Sequence, residues 1–141
     1  VRRKDDLGPN CRRAAELGAL YPEVDLTPLL VDLEPVVIEM AVWAHGEREE
    51  VDDNTLQTII SLTTDHDDQL VREAGAAALG AIGDERGVRA ILSACEDKPA
   101  VRRRAVLALA PFSGPEIEAA IDTALTDRDW QVRQSAEDLR R

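Results

Sequence analysis

The residues of this chain that could do chemistry are few and poorly gathered. Two histidines and two cysteines stand among 141 residues. His66 lies in Asp65-His66-Asp67-Asp68, a mix of nitrogen and oxygen donors able to attract a divalent cation. No second His or Cys falls three or four positions away to complete a tetrahedral set, so no metal site is assigned. Glu47, Glu49, Glu50, Asp52 and Asp53 form an acidic run that could also draw a cation. It lacks the fixed ligand spacing and central glycine of a calcium loop, and reads as a solvated loop. Cys11 and Cys95 are far apart, each in a helical, partly apolar pattern, which reads as two buried thiols in a reducing cytoplasm. No nucleophile stands beside a base. The expectation is a protein without catalytic residues, metal or cofactor.

Charge narrows the partners. The formal net charge is −11, concentrated in residues 1–100, whereas residues 101–141 carry as many bases as acids. Nucleic-acid affinity comes largely from phosphate neutralisation, so an acidic chain with no basic stripe is not expected to bind nucleic acid. Anionic membrane surfaces are disfavoured on the same ground. No apolar run reaches the roughly 18 residues of a spanning helix, and none follows Val1-Arg2-Arg3-Lys4 to make a signal peptide. A protein partner of basic or mixed charge fits better. Arg102-Arg103-Arg104 turn to different sides of a helix and are expected on a solvated face.

The elements that hold these residues repeat. Val71-Arg72 is followed by Gly75 and Ala78-Leu79, Val101-Arg102 by Ala105 and Ala108-Leu109, and Val132-Arg133 by Ala136 and Leu139. A period of about 30 residues marks a solenoid, whose units bury their apolar faces only by stacking. Ala-rich segments with apolar residues three and four apart make each unit helical, and strand alternation is absent. Asp68, Asp84 and Asp129 are placed to cap helix starts, and Gly80 and Gly83 to end a helix in the left-handed conformation. Arg72, Arg102 and Arg133 recur once per unit, which predicts a ladder to acidic turn residues such as Asp67, Glu96 or Asp127. Trp43 and Trp130 are expected to pack against neighbouring units.

The order Val71-Arg-Glu-Ala-Gly-Ala-Ala-Ala-Leu-Gly-Ala-Ile-Gly-Asp84, followed by the apolar helix to Leu92, resembles a HEAT repeat of the short type called PBS-lyase HEAT-like. Val37–Gly46 is similar, with Ile38 in place of the arginine. Asn10–Gly18 and Thr27–Leu33 look like the two helices of a further unit. The predicted fold is all-α: a right-handed α-α superhelix of four helical pairs plus a terminal helix, one domain over residues 1–141. The resemblance implies a protein-interaction scaffold whose second helices, Asn54–Thr63, Gly87–Cys95 and Glu116–Thr126, line the ligand-receiving concave face. Gln57, Ser61, Arg89, Ser93, Glu118 and Asp122 are the expected outward residues there and the candidate partner contacts. HEAT-like deoxyhypusine hydroxylases hold iron with His-Glu dipeptides, which His45-Gly46 and His66-Asp67 are not. The basic, aromatic face of HEAT-like alkylpurine glycosylases is also absent. Bilin lyases share the repeat, so an accessory lyase or maturation factor acting on a cofactor-bearing protein is the alternative.

Overall fold

The computed structural model describes residues 26–48 and 50–141. A 3-10 turn, Thr27–Val31, leads into α1 (Pro35–Gly46), α2 (Asp53–Asp65) and α3 (Gln69–Ile82). A second 3-10 turn, Glu85–Gly87, runs into α4 (Val88–Ala94), and α5 (Pro99–Ala108), α6 (Pro115–Leu125) and α7 (Trp130–Arg140) complete the order. The described residues hold no strand. Local chemistry sets the helix starts. Pro35, Pro99 and Pro115 occupy the first turns of α1, α5 and α6, where a missing N–H costs nothing. Asp52, Asp68 and Asp129 cap α2, α3 and α7, accepting from Thr55, Leu70 and Gln131 backbone N–H groups at 2.8, 2.8 and 2.9 Å. Asp84 does the same for the 3-10 turn, accepting from the Arg86 N–H at 2.9 Å.

The helices pair and the pairs stack. The first helices α1, α3, α5 and α7 form one continuous row, each packed on the next. The second helix α2 packs on α3 and α4, while α6 packs on α7. Val71, Val101 and Val132, the valines of the repeated phrase, are fully buried in this row together with Ala74, Ala105 and Ala136. Burying each such valine is worth about 1.5–3 kcal/mol relative to exposure. Close approach is possible because the residues between the helices are small. An added Cβ at Gly80 would lie 2.6 Å from the Ala108 Cα and 2.7 Å from its Cβ, and one at Gly46 would lie 3.2 Å from both of those atoms of Ala78.

Several expectations need correction. Thr27–Leu33 is not a second helix: only a five-residue 3-10 turn forms, and the Asp32 carboxylate accepts from the Glu34 N–H in the bend before Pro35. Residues ahead of a proline avoid the helical conformation, which keeps that turn short. The companion segment Asn10–Gly18, Cys11 and Glu49 lie outside the described residues. Among the described residues there are three helical pairs and the further helix α7. Gly83 ends α3 with φ +71°, as expected, but Gly80 sits inside the helix and serves the approach of α5 instead. Trp130 is 64% exposed, because the first position of α7 points out over the turn while Val132, Ser135 and Ala136 face the core.

Gly80→Ala is expected to lower stability by about 1–3 kcal/mol, since the clash is with backbone that cannot rotate away. Gly83→Ala, which meets nothing within 4 Å but must hold a positive φ, should cost about 1 kcal/mol. Urea denaturation of the two variants measures both costs; a Gly80→Ala chain as stable as the native one would show that α3 and α5 are not packed this tightly.

Candidate interaction face and the ladder that holds it

The arginines of the repeated phrase tie each turn to the following one. Arg72 donates from Nη1 to the backbone carbonyls of His66 and Asp67, at 2.8 and 3.0 Å. Its Nε and Nη2 grip both carboxylate oxygens of Asp97 at 2.8 and 3.1 Å, one unit further on. Arg102 repeats the arrangement, with Nη1 on the Asp97 carbonyl at 2.8 Å and the fork on the Asp127 carboxylate at 3.0 and 2.9 Å. The guanidinium fork matches the two oxygens of a carboxylate, which gives direction as well as strength. The ladder was expected, but its partners differ in part. Asp67 contributes a carbonyl, and Asp97 takes the place expected of Glu96. The acceptor is the residue at the apex of the turn, whose carboxylate also receives the Lys98 N–H at 2.7 Å.

Arg102-Arg103-Arg104 is not a solvated face. Arg102 keeps only 9% of its side chain exposed. Arg103 and Arg104 are half-buried around Glu73, at 4.0 and 3.7 Å. The Arg104 guanidinium also lies 5.6 Å from the ring centre of Trp43, so α1, α3 and α5 are joined by a cation–π contact and an ion pair. The acidic run after α1 also has structural duties, with Asp52 capping α2 and Asp53 accepting from Arg86 Nη1 at 2.9 Å. His66 accepts the Asp68 N–H through Nδ1 at 3.0 Å, which fixes the turn before α3. Among the described residues, no three His, Cys, Asp or Glu side chains are grouped to hold a metal ion. No helix among them is long and apolar enough to cross a membrane. Cys95 borders a crevice of about 190 Å³ between α4 and α6, and burial pushes its thiol up to about 12, which keeps it protonated and a poor nucleophile.

The second helices carry the open surface. Gln57, Ser61, Arg89, Ser93, Glu118 and Asp122 are all exposed, on α2, α4 and α6. They do not form one cluster. Arg89 and Ser93 border a groove of about 510 Å³ between α2 and α4, together with Ile60, Ala90, Leu92 and Glu96. Ala90 is buried and Ile60 and Leu92 half-buried, so an apolar floor lies below a polar rim. Gln57 and Ser61 are on α2 but do not line the groove. Glu118 and Asp122 are both held by Arg140 of α7, the latter at 2.6 Å. The floor residues Ile60 and Leu92 were not singled out from sequence, and Glu96, expected as a ladder acceptor, stands on the rim instead. Their signal was the position of α4 between two neighbours, which spacing along one helix does not carry.

A family model described as HEAT repeats matches residues 24–100, more than half of the chain. No curated protein matches. The ladder and the helix row continue past the matched region through α5, α6 and α7.

Arg102→Ala is expected to lower stability by about 1–3 kcal/mol, because the Asp127 carboxylate, 14% exposed, would lose its bidentate partner. Chemical denaturation checks this, and an unchanged midpoint would remove the ladder from the account of stability. A pH dependence follows as well. The Arg72 guanidinium beside Asp97 and that of Arg102 beside Asp127 hold both carboxyls below their ordinary 3.8, against a smaller opposing effect of burial. A carboxyl depressed by folding contributes fully above its unfolded value and loses that contribution as pH falls through the folded one. The melting temperature should therefore fall between about pH 5 and pH 2, and Asp97→Asn should flatten that fall.

Proposed function

The chain belongs to the HEAT-repeat family, and we propose that it is a non-catalytic scaffold holding a protein partner on the face built by its second helices. HEAT repeats are commonly protein-interaction scaffolds and generally lack catalysis. The observation that carries the reading is the groove between α2 and α4. Its floor of Ile60, Ala90 and Leu92 suits an aliphatic side chain. Its rim sets Arg89, 84% exposed and 3.9 Å from Glu116, near Glu96, which suits a segment of mixed charge better than a uniformly basic one. Gln57, Ser61, Ser93, Glu118 and Asp122 extend the contact along the same helices. For Glu118 and Asp122 a basic partner group would have to displace Arg140, an exchange between exposed ion pairs that costs little. The division of labour supports the reading too: first helices use their small residues on one another, which leaves second helices free at their outer surface.

Capture with the chain as bait tests this, with Arg89→Glu/Ser93→Arg as the comparison bait. A stoichiometric protein retained by the native chain and lost at least about tenfold by the variant, whose melting temperature should be unchanged, is the expected result. Its association should also slow as salt rises. Equal retention by both baits would move the contact surface elsewhere.

A further inference from the structure

Helix α4 is bordered by a hollow on each side. Towards α2 lies the groove of about 510 Å³, floored by Ile60, Ala90 and Leu92. Towards α6 lies the crevice of about 190 Å³, which reaches past Ala120 and Ala124 to the buried Val106 and Val132. The crevice stays open because α6 turns alanines towards α4, and side chains that small leave the gap unfilled. Leu92 and Glu96 line both hollows, so they form the ridge between them, one helical turn apart. Leu92 is half-buried and Glu96 exposed. Among the described residues the Glu96 carboxylate has no hydrogen bond and no ion pair. The other charges at the two rims are engaged: Asp127 is gripped by Arg102, Arg86 is held by Asp84 and Asp53, and Arg89 faces Glu116.

We infer that the partner segment is an amphipathic helix crossing α4, with one aliphatic side chain set in each hollow and a lysine or arginine between them on Glu96. The inference rests on the interaction-face reading above and names the occupant of that face. Spacing selects a helix. Hollows on the two sides of one helix lie about 8–10 Å apart, the distance between neighbouring packed helices. Residues i and i+7 of a helix project from the same side about 10.5 Å apart, which matches. In an extended segment the residues sharing a side recur about every 6.7 Å, so one step falls short and two overshoot. Between i and i+7, position i+3 or i+4 stands over the ridge. A lysine or arginine there lays its methylene stem along Leu92 and brings its charge to Glu96. Charge sets the sign at that position, because an acidic residue over Glu96 would oppose carboxylate to carboxylate. Volume agrees as well. An apolar cavity of roughly 150 Å³ holds a benzene-sized group, so the crevice of about 190 Å³ has room for a leucine or isoleucine side chain.

Fluorescence anisotropy of a labelled synthetic helix against the full chain tests the inference. The probe is an alanine- and glutamine-based peptide of about 18 residues, long enough to hold a helix, with leucine at i and i+7 and lysine at i+4. The native chain should bind it at least about tenfold more tightly than the same peptide with glutamate in place of the lysine, or with its leucines at i and i+5, where they no longer share a side. Glu96→Lys should reverse the preference between the lysine and glutamate peptides. Ala120→Leu, which fills the crevice and should melt no lower than the native chain, should weaken binding of the lysine peptide at least about tenfold. A native chain that fails to bind the lysine peptide overturns the inference. So do equal affinities for the two leucine spacings, an unreversed preference in Glu96→Lys, or an undiminished affinity in Ala120→Leu. Should Ala120→Leu melt below the native chain, the reversal in Glu96→Lys decides alone. Failure here is separable from failure of the interaction face itself. A captured protein that is lost from the Arg89→Glu/Ser93→Arg bait, yet held by Ala120→Leu and Glu96→Lys baits as firmly as by the native chain, keeps the face and overturns the crossing helix.

Discussion

The bidentate grip of an arginine on the carboxylate of the next turn is the constraint on which the rest of this structure depends. Apolar burial stacks the first helices but does not say how far each may slide along its neighbour, since alanine and valine surfaces tolerate small shifts. The fork does say so. Arg72 cannot reach the Asp97 carboxylate while also donating to the His66 and Asp67 carbonyls unless the two turns are held at one separation. Arg102 imposes the same separation on the next pair of turns. Asp97 is shared, offering its carboxylate to one arginine and its carbonyl to the other, so the rungs are linked rather than independent.

With the turns fixed, the spacing of the helices follows from side-chain size. Gly80 lets α5 approach α3 where a methyl group would strike the Ala108 backbone. Thr63 and Gly75 meet in the same way between α2 and α3, where an added Cβ would come within 2.2 Å of the Thr63 hydroxyl oxygen. That hydroxyl is not free to move, because it donates to the Ile59 carbonyl at 2.7 Å. On the other side of the first-helix row, Arg104 passes Glu73 to reach Trp43, so three successive first helices are joined there as well. The row is thus tied along its turns and across its outer side. The second helices bear fewer such ties, which leaves their outward residues to solvent or to a partner.

Much of this was legible in the sequence, and the reason is local. A 30-residue return of Val-Arg with small residues behind it dictates a helix, its buried side and the stacking of like on like, because each depends on spacing within one segment. The capping roles of Asp68, Asp84 and Asp129 are local in the same sense, and each accepts a backbone N–H within three residues. The turn of φ at Gly83 also belongs to this class.

What the sequence could not decide involves distance between segments. That Asp97 and not Glu96 receives Arg72 depends on which side of a turn faces the previous unit. That Gly80 serves a neighbouring helix, and not its own end, depends on where α5 lies. Arg103 and Arg104 read as solvated until α3 places Glu73 beside them and α1 places Trp43 under one of them. Glu118 and Asp122 read as open until α7 brings Arg140 to both, and Ile60 and Leu92 become a groove floor only when α2 and α4 are side by side. Spacing along a helix determines which way a residue points; only the stacked neighbours determine what it meets there, because contacts across units are made by residues some 20 to 60 positions apart whose meeting no single repeat encodes.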